Sequence, residues 1–196
     1  SDGRRCNTGA RALAGAYAWT GGAAEVAGNP QLLTMKQEAG AHEVFSSADI
    51  PGEILDLLVV DTATLEANPN LGKALVGIWY ETIALMQQDD EAGEAARAAM
   101  AQLAGTTPEM FEAQVATTHL YVEPAQAVAA ATDPALIETM TRVRDFSFSQ
   151  GLFGQGASSA EAVGMAFPGG KTLGDGNSIT LRFDDSFMQM AADGEL

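Results

Sequence analysis

Basic residues are scarce in this chain: ten Lys and Arg stand against 26 Asp and Glu, a formal charge of -16 over 196 residues. A nucleic-acid backbone has to be neutralised by clustered cations, so this balance excludes it as a natural partner. Cysteine is nearly missing, and the single Cys6 leaves no internal disulfide framework. His42 and His119 are the only histidines; they are far apart and have no partner at metal-ligand spacing. No apolar run approaches the roughly 20 residues that a membrane-spanning helix needs. What the chain does have is apolar content, 46% against 18% charged residues. That is the composition of a packed globular protein with one or two domains.

The chemistry-bearing patterns are equally thin. There is no Gly-x-Ser-x-Gly elbow, and Cys6 has no histidine near it in sequence. The stretch Phe167-Pro168-Gly169-Gly170-Lys171-Thr172 ends like a phosphate-binding loop. Gly164, however, stands one residue too far upstream, and the pattern shows no strand before it and no helix after it. Gly151, Gly154 and Gly156 follow a helical pattern, so they read as a helix-terminating turn and not as a dinucleotide fingerprint. Asp89-Asp90-Glu91 and Asp184-Asp185 lack the alternating oxygens and central glycine of a calcium loop and read as solvated charge. The expectation is a binding protein with no catalytic residue, no metal and no cofactor.

Residues 1–28 differ from the rest. They carry Arg4, Arg5 and Arg11 and a Gly/Ala-rich run with neither a strand nor a helix period, which predicts weak order. No signal-peptide apolar region follows the arginines. From Asn29 the punctuation improves. Pro30 opens a helix that Gly40 closes, and Val44-Phe45 makes a short strand. Residues 54–60 (ILDLLVV) form a near-continuous apolar run between turns, the pattern of a strand buried on both faces. Asn68-Pro69 starts a helix with Leu71, Leu75, Ile78/Trp79, Ile83 and Met86 on one face, which places Trp79 in the core. Thr107-Pro108, Glu123-Pro124 and Asp133-Pro134 start three more helices, the last running to Gly151. Thr118 to Val122 reads as extended, and Ile179, Leu181 and Phe183 alternate with polar residues as a half-buried strand. The fold class is α/β, helix-rich with a few buried strands.

The text Ser46-Ser47-Ala48-Asp49-Ile50-Pro51-Gly52-Glu53-Ile54-Leu55-Asp56-Leu57-Leu58-Val59-Val60 leads on through Leu65-Glu66-Ala67-Asn68-Pro69 to Trp79-Tyr80-Glu81. With Arg144-Asp145-Phe146-Ser147-Phe148, Gly151-Leu152 and Leu181-Arg182-Phe183-Asp184-Asp185 it resembles the nitrate/sulfonate/taurine type of ABC-transporter substrate-binding protein. The branch it is most similar to is the urea-carboxylase-associated or urea-binding one, and the resemblance covers about residues 29–196.

The resemblance implies a two-lobed type II periplasmic-binding fold, incomplete here, in which a ligand closes the cleft between α/β lobes. Residues 29–53 would be the remnant of the second lobe with the hinge, and 54–196 the C-terminal part of the first. It implies a monomeric periplasmic protein that carries a small urea-, guanidine- or amide-like ligand to an ABC permease in the inner membrane. The ligand residues it implies are Asn29, Ser46, Ser47, Asp49, Ile50 and Pro51, on a loop whose hydroxyls, carboxylate and rigid Ile-Pro-Gly turn suit a lobe boundary. Two departures stand out. The family's N-terminal lobe of about a hundred residues is missing, and Gly28-Asn29-Pro30 stands where the family carries Trp-Asn-Pro at the cleft. The abrupt start of the match implies that residues 1–28 come from a truncated or frame-shifted reading of the gene. An enzyme on the same fold, of the thiamine-pyrimidine-synthase-like kind, would need more histidine and metal ligands than His42 and His119 supply. A purely helical interaction domain would leave the 54–60 run and the 179–183 alternation without a purpose.

Overall fold

The computed structural model describes residues 26–196. In chain order it contains helices α1 (Gln31–Lys36), α2 (Thr62–Ala67), α3 (Pro69–Met86), α4 (Glu91–Leu103), α5 (Pro108–Ala116), α6 (Pro124–Thr132) and α7 (Pro134–Ser149). Strands β1 (Gly164–Phe167), β2 (Lys171–Leu173) and β3 (Ile179–Arg182) follow, and helix α8 (Ser186–Ala192) comes last. The class is helix-rich α/β with a small mixed sheet. Most of the weak order expected for residues 1–28 falls on residues 1–25, outside the described residues.

Local chemistry sets the helix starts. Proline occupies the first turn of α3, α5, α6 and α7, where its missing N–H costs no intrahelical bond. The Thr107 hydroxyl accepts the Met110 N–H at 3.3 Å, and the Asp133 carboxylate accepts the Ala135 N–H at 2.8 Å. Asp90 accepts the Gly93 N–H and Asp184 the Ser186 N–H, each at 2.9 Å. The two acidic clusters therefore open α4 and α8 and are not merely solvated charge. At the far end of α7, Gly151 takes φ +72°, which lets the Leu152 N–H reach the Ser147 carbonyl at 2.9 Å and close the helix.

Contacts divide the chain into two compact units. One comprises residues 26–46 with Glu94–His119, and the other Ser47–Gly93 with Leu120–Leu196. In the first, Asn29 Nδ2 donates to Thr117 Oγ1 at 3.1 Å and Arg97 pairs with Glu112 at 3.4 Å. The second holds the sheet, ordered β2-β1-β3, with β2 antiparallel and β3 parallel to β1. Its core is Met140, Met165 and Phe167, with Leu55, Leu136, Ile137, Val143, Val163, Leu173, Leu181 and Phe183 packed around them. Phe167 and Phe183 stack at 5.0 Å between centroids with a 10° tilt. Helix α8 packs on both α3 and α6, and the Phe187 ring lies where a Cβ on Gly72 of α3 would be.

Arg144 on α7 is buried at 6% exposure and pairs with Asp145 at 2.9 Å and Glu161 at 3.0 Å. Its Nη1 has no hydrogen-bond partner. Two carboxylates on one guanidinium offset the cost of burying that charge, and they tie α7 to the segment entering β1.

Several sequence expectations change. Residues 54–60 form no ladder, and Ile54, Leu57, Leu58 and Val59 are exposed; only Leu55 joins the core. The run has strand composition, but no described strand pairs with it. Val44-Phe45 is likewise irregular and exposed, and Thr118 to Val122 makes no ladder. Helix α1 stops at Lys36, short of Ala39. Lys171-Thr172 is preceded by a strand after all: β1 and β2 form a hairpin around Pro168-Gly169-Gly170, both glycines at φ +74°, which gives the Gly-Gly a turn role. Trp79 lies on the same face of α3 as Gly72 and Ile83, yet it is 50% exposed: among the described residues no element covers that part of the face.

Gly164→Ala should destabilise the protein by about 1–3 kcal/mol, the cost of overpacking, because its Cβ would strike the Asp175 and Ser178 carbonyls. Leu55→Ala should cost about 2 kcal/mol or more and Leu58→Ala less than about 0.5. Chemical denaturation of the three variants checks this order, and equal losses at Leu55 and Leu58 would restore the buried strand. Trp79→Ala should cost less than about 2 kcal/mol, below the 3–5 of a buried tryptophan. The same denaturation measurement decides it.

Candidate functional site

The six sequence-predicted ligand residues sit as follows. Asn29 precedes a cis peptide bond to Pro30 and donates its amide to Thr117. Ser46 closes its segment, partly buried. Ser47 and Asp49 bound a single 3₁₀ turn, in which the Ile50 N–H reaches the Ser47 carbonyl at 3.2 Å. Pro51 and Gly52, the latter at φ +81°, turn the chain so that the Glu53 N–H bonds the Ile50 carbonyl at 3.2 Å. Asn29 and Ser46 belong to the first unit, and Ser47, Asp49, Ile50 and Pro51 to the second. Ser47, Asp49 and Pro51 are exposed and Ile50 half-buried. Just after this turn the Glu53 carboxylate accepts from Arg142 of α7, with Nε at 3.0 Å, while Arg142 also donates to the Thr139 hydroxyl at 2.9 Å.

The second unit also contains a hollow that sequence reasoning missed. It has a volume of about 530 Å³ and is lined by Tyr80, Ile83, Ala84 and Gln87 of α3 and by Val122, Glu123 and Pro124 at the start of α6. The spacing of 80, 83, 84 and 87 puts these side chains on one helix face, Tyr80 and Gln87 bracketing an apolar middle. That polar bracket on an apolar stripe was the available signal. Burial pushes the Tyr80 hydroxyl above its ordinary pKa, so it stays a neutral donor and acceptor. A smaller hollow of about 230 Å³ in the first unit is lined by Leu33, Gln37, Thr107, Glu109, Met110 and Ala113. Its polar groups serve the helix: Thr107 caps α5, and hydrogen bonds from the Glu109 N–H and the Thr107 hydroxyl hold the Glu109 carboxyl below its ordinary pKa.

Among the described residues no three His, Cys, Asp or Glu side chains converge as a metal site, and no helix is long and apolar enough to cross a membrane. No family model matches the chain, nor does any curated protein or solved structure.

Glu53→Gln should lower global stability by less than about 1 kcal/mol, as for other largely solvated ion pairs. It should nevertheless speed amide exchange at Glu53 and Ile50, measured by NMR, relative to the α7 amides. Unchanged exchange at both would mean that the Pro51-Gly52 turn holds itself without Arg142.

Proposed function

We propose that this chain is the extracytoplasmic solute-binding component of an ABC importer, built on a type II periplasmic-binding fold and taking a small urea-, guanidine- or amide-like ligand. The observation that carries the reading is the continuous text from Ser46 to Val60. It is joined by the Arg144–Phe148 and Leu181–Asp185 segments, which resemble that family. Three physical features support it. The turn at Ser47–Asp49 is short and anchored through Glu53 to α7, so its hydroxyl, carboxylate and backbone groups are preorganised at little entropic cost on binding. Those groups suit a ligand rich in N–H donors. The resembling segments around Arg144 and Leu181 build the ion-paired and stacked centre of the second unit, a rigid support for a binding loop. In this reading the protein acts as a periplasmic monomer, and its macromolecular partner is the permease.

Calorimetry with urea, guanidinium chloride and methanesulfonate tests the assignment. For a guanidinium ligand, Asp49→Asn should weaken binding by about 1.5–3 kcal/mol, the scale of a hydrogen bond to a charged group, and for neutral urea by less. Binding of the sulfonate alone would overturn the nitrogen-ligand assignment, and so would binding of none of the three.

A further inference from the structure

We propose that the hollow between α3 and the start of α6 is a separate binding site for a small organic monocation with an ammonium- or amidinium-type head and an apolar body. The proposal is independent of the transporter reading, because it rests on a different set of residues. The volume of about 530 Å³ is that of a small-molecule site. Its floor is Ile83, buried at 6% exposure, flanked by Ala84, Val122 and Pro124, which favour an apolar body over a hydrated ion.

Three polar groups surround that floor, and the structure gives them no internal use. Glu123 precedes α6 at its N-cap position, but its side chain makes no capping bond; only its backbone carbonyl is engaged, by the Gln126 N–H at 3.0 Å. Gln87 ends α3 through its backbone N–H, bonded to the Ile83 carbonyl at 3.0 Å. Tyr80 adds an aromatic ring and a hydroxyl to the lining. Among the described residues that line the hollow there is no Lys or Arg, and the one formal charge is the Glu123 carboxylate. Asp89, Asp90 and Glu91 follow Gln87 along the chain and add to the negative potential. An anion would meet an unpaired carboxylate. A cation would find a carboxylate acceptor, a side-chain amide oxygen and an aromatic face. The walls are also braced, since α8 packs on both α3 and α6 and seats Phe187 against Gly72.

An isosteric series on the full chain separates charge from shape: benzamidinium, benzamide and benzoate share one ring and differ in head charge. Titration followed by amide NMR should show saturable binding of benzamidinium with shifts at residues 80–87 and 122–124, at least tenfold weaker binding of benzamide, and none of benzoate. Glu123→Gln, at an exposed position outside any capping bond, should remove the preference for benzamidinium over benzamide. Ala84→Trp should fill the hollow and abolish binding of both, and Asp49→Asn should leave both unchanged. The proposal is overturned by benzoate binding as well as benzamidinium, by shifts that do not saturate or that map elsewhere, or by Glu123→Gln keeping the charge preference.

Discussion

Gly164 lies so close to the Asp175–Ser178 turn that any side chain there would collide with two backbone carbonyls. Because there is none, the Gly164 N–H bonds the Ser178 carbonyl at 3.1 Å, and β1 can run between β2 and β3. Met165 and Phe167 then turn into the core, where Phe167 stacks on Phe183 and Met165 packs with Met140 of α7. Gly174, at φ +77°, makes a matching close approach to the Val163 carbonyl. A three-stranded sheet of short strands has little area to spare, and these two glycines let it pack at backbone contact.

From that centre the constraint passes to the surface. Helix α7 leans on the sheet with Met140 and Val143 and carries Arg142 and Arg144. Arg144 is buried between Asp145 and Glu161, which ties α7 to the segment entering β1. Arg142 reaches outward and holds Glu53, and hence the Ser47–Gly52 turn. The loop proposed to meet a ligand is thus two ion pairs away from the stacked phenylalanines, and polar groups borne by such a support lose little freedom on binding.

The parts legible in the sequence are those written by local chemistry. Proline preceded by Asn, Thr, Glu or Asp marked the starts of α3, α5, α6 and α7, because a first-turn proline acts on its own backbone, and Thr107 and Asp133 add a side-chain cap. The alternation of Ile179, Leu181 and Phe183 marked β3. The pattern failed where a partner decides the outcome. Residues 54–60 have strand composition, but composition does not say whether neighbours are present to complete the ladder. β1 and β2 are four and three residues long and gave no strand pattern around the Phe167–Thr172 stretch, since their pairing depends on the close approach at Gly164. For Trp79, the helical period identified the face correctly but not the extent of its cover. The six predicted loop residues were legible through resemblance alone, whereas Tyr80, Gln87 and Glu123 come from two elements whose proximity no local pattern encodes.

The charge balance has a consequence for any ligand. With 26 acidic residues against ten basic ones, the chain repels anions at long range unless a local cation reverses the field. Among the described residues four cations stand in ion pairs: Lys36 with Glu43, Arg97 with Glu112, Arg142 with Glu53, and Arg144 with Asp145 and Glu161. Arg182 donates to the Thr62 hydroxyl at 3.3 Å. Neither the turn at Ser47–Asp49 nor the hollow at Tyr80 includes a lysine or arginine, while each includes a carboxylate, Asp49 in one and Glu123 in the other. An anion brought to either place would meet that carboxylate within a chain of strongly negative net charge. A neutral amide or an organic cation meets no such repulsion. If the two proposed sites bind as argued, both favour neutral or cationic ligands, and for the same electrostatic reason.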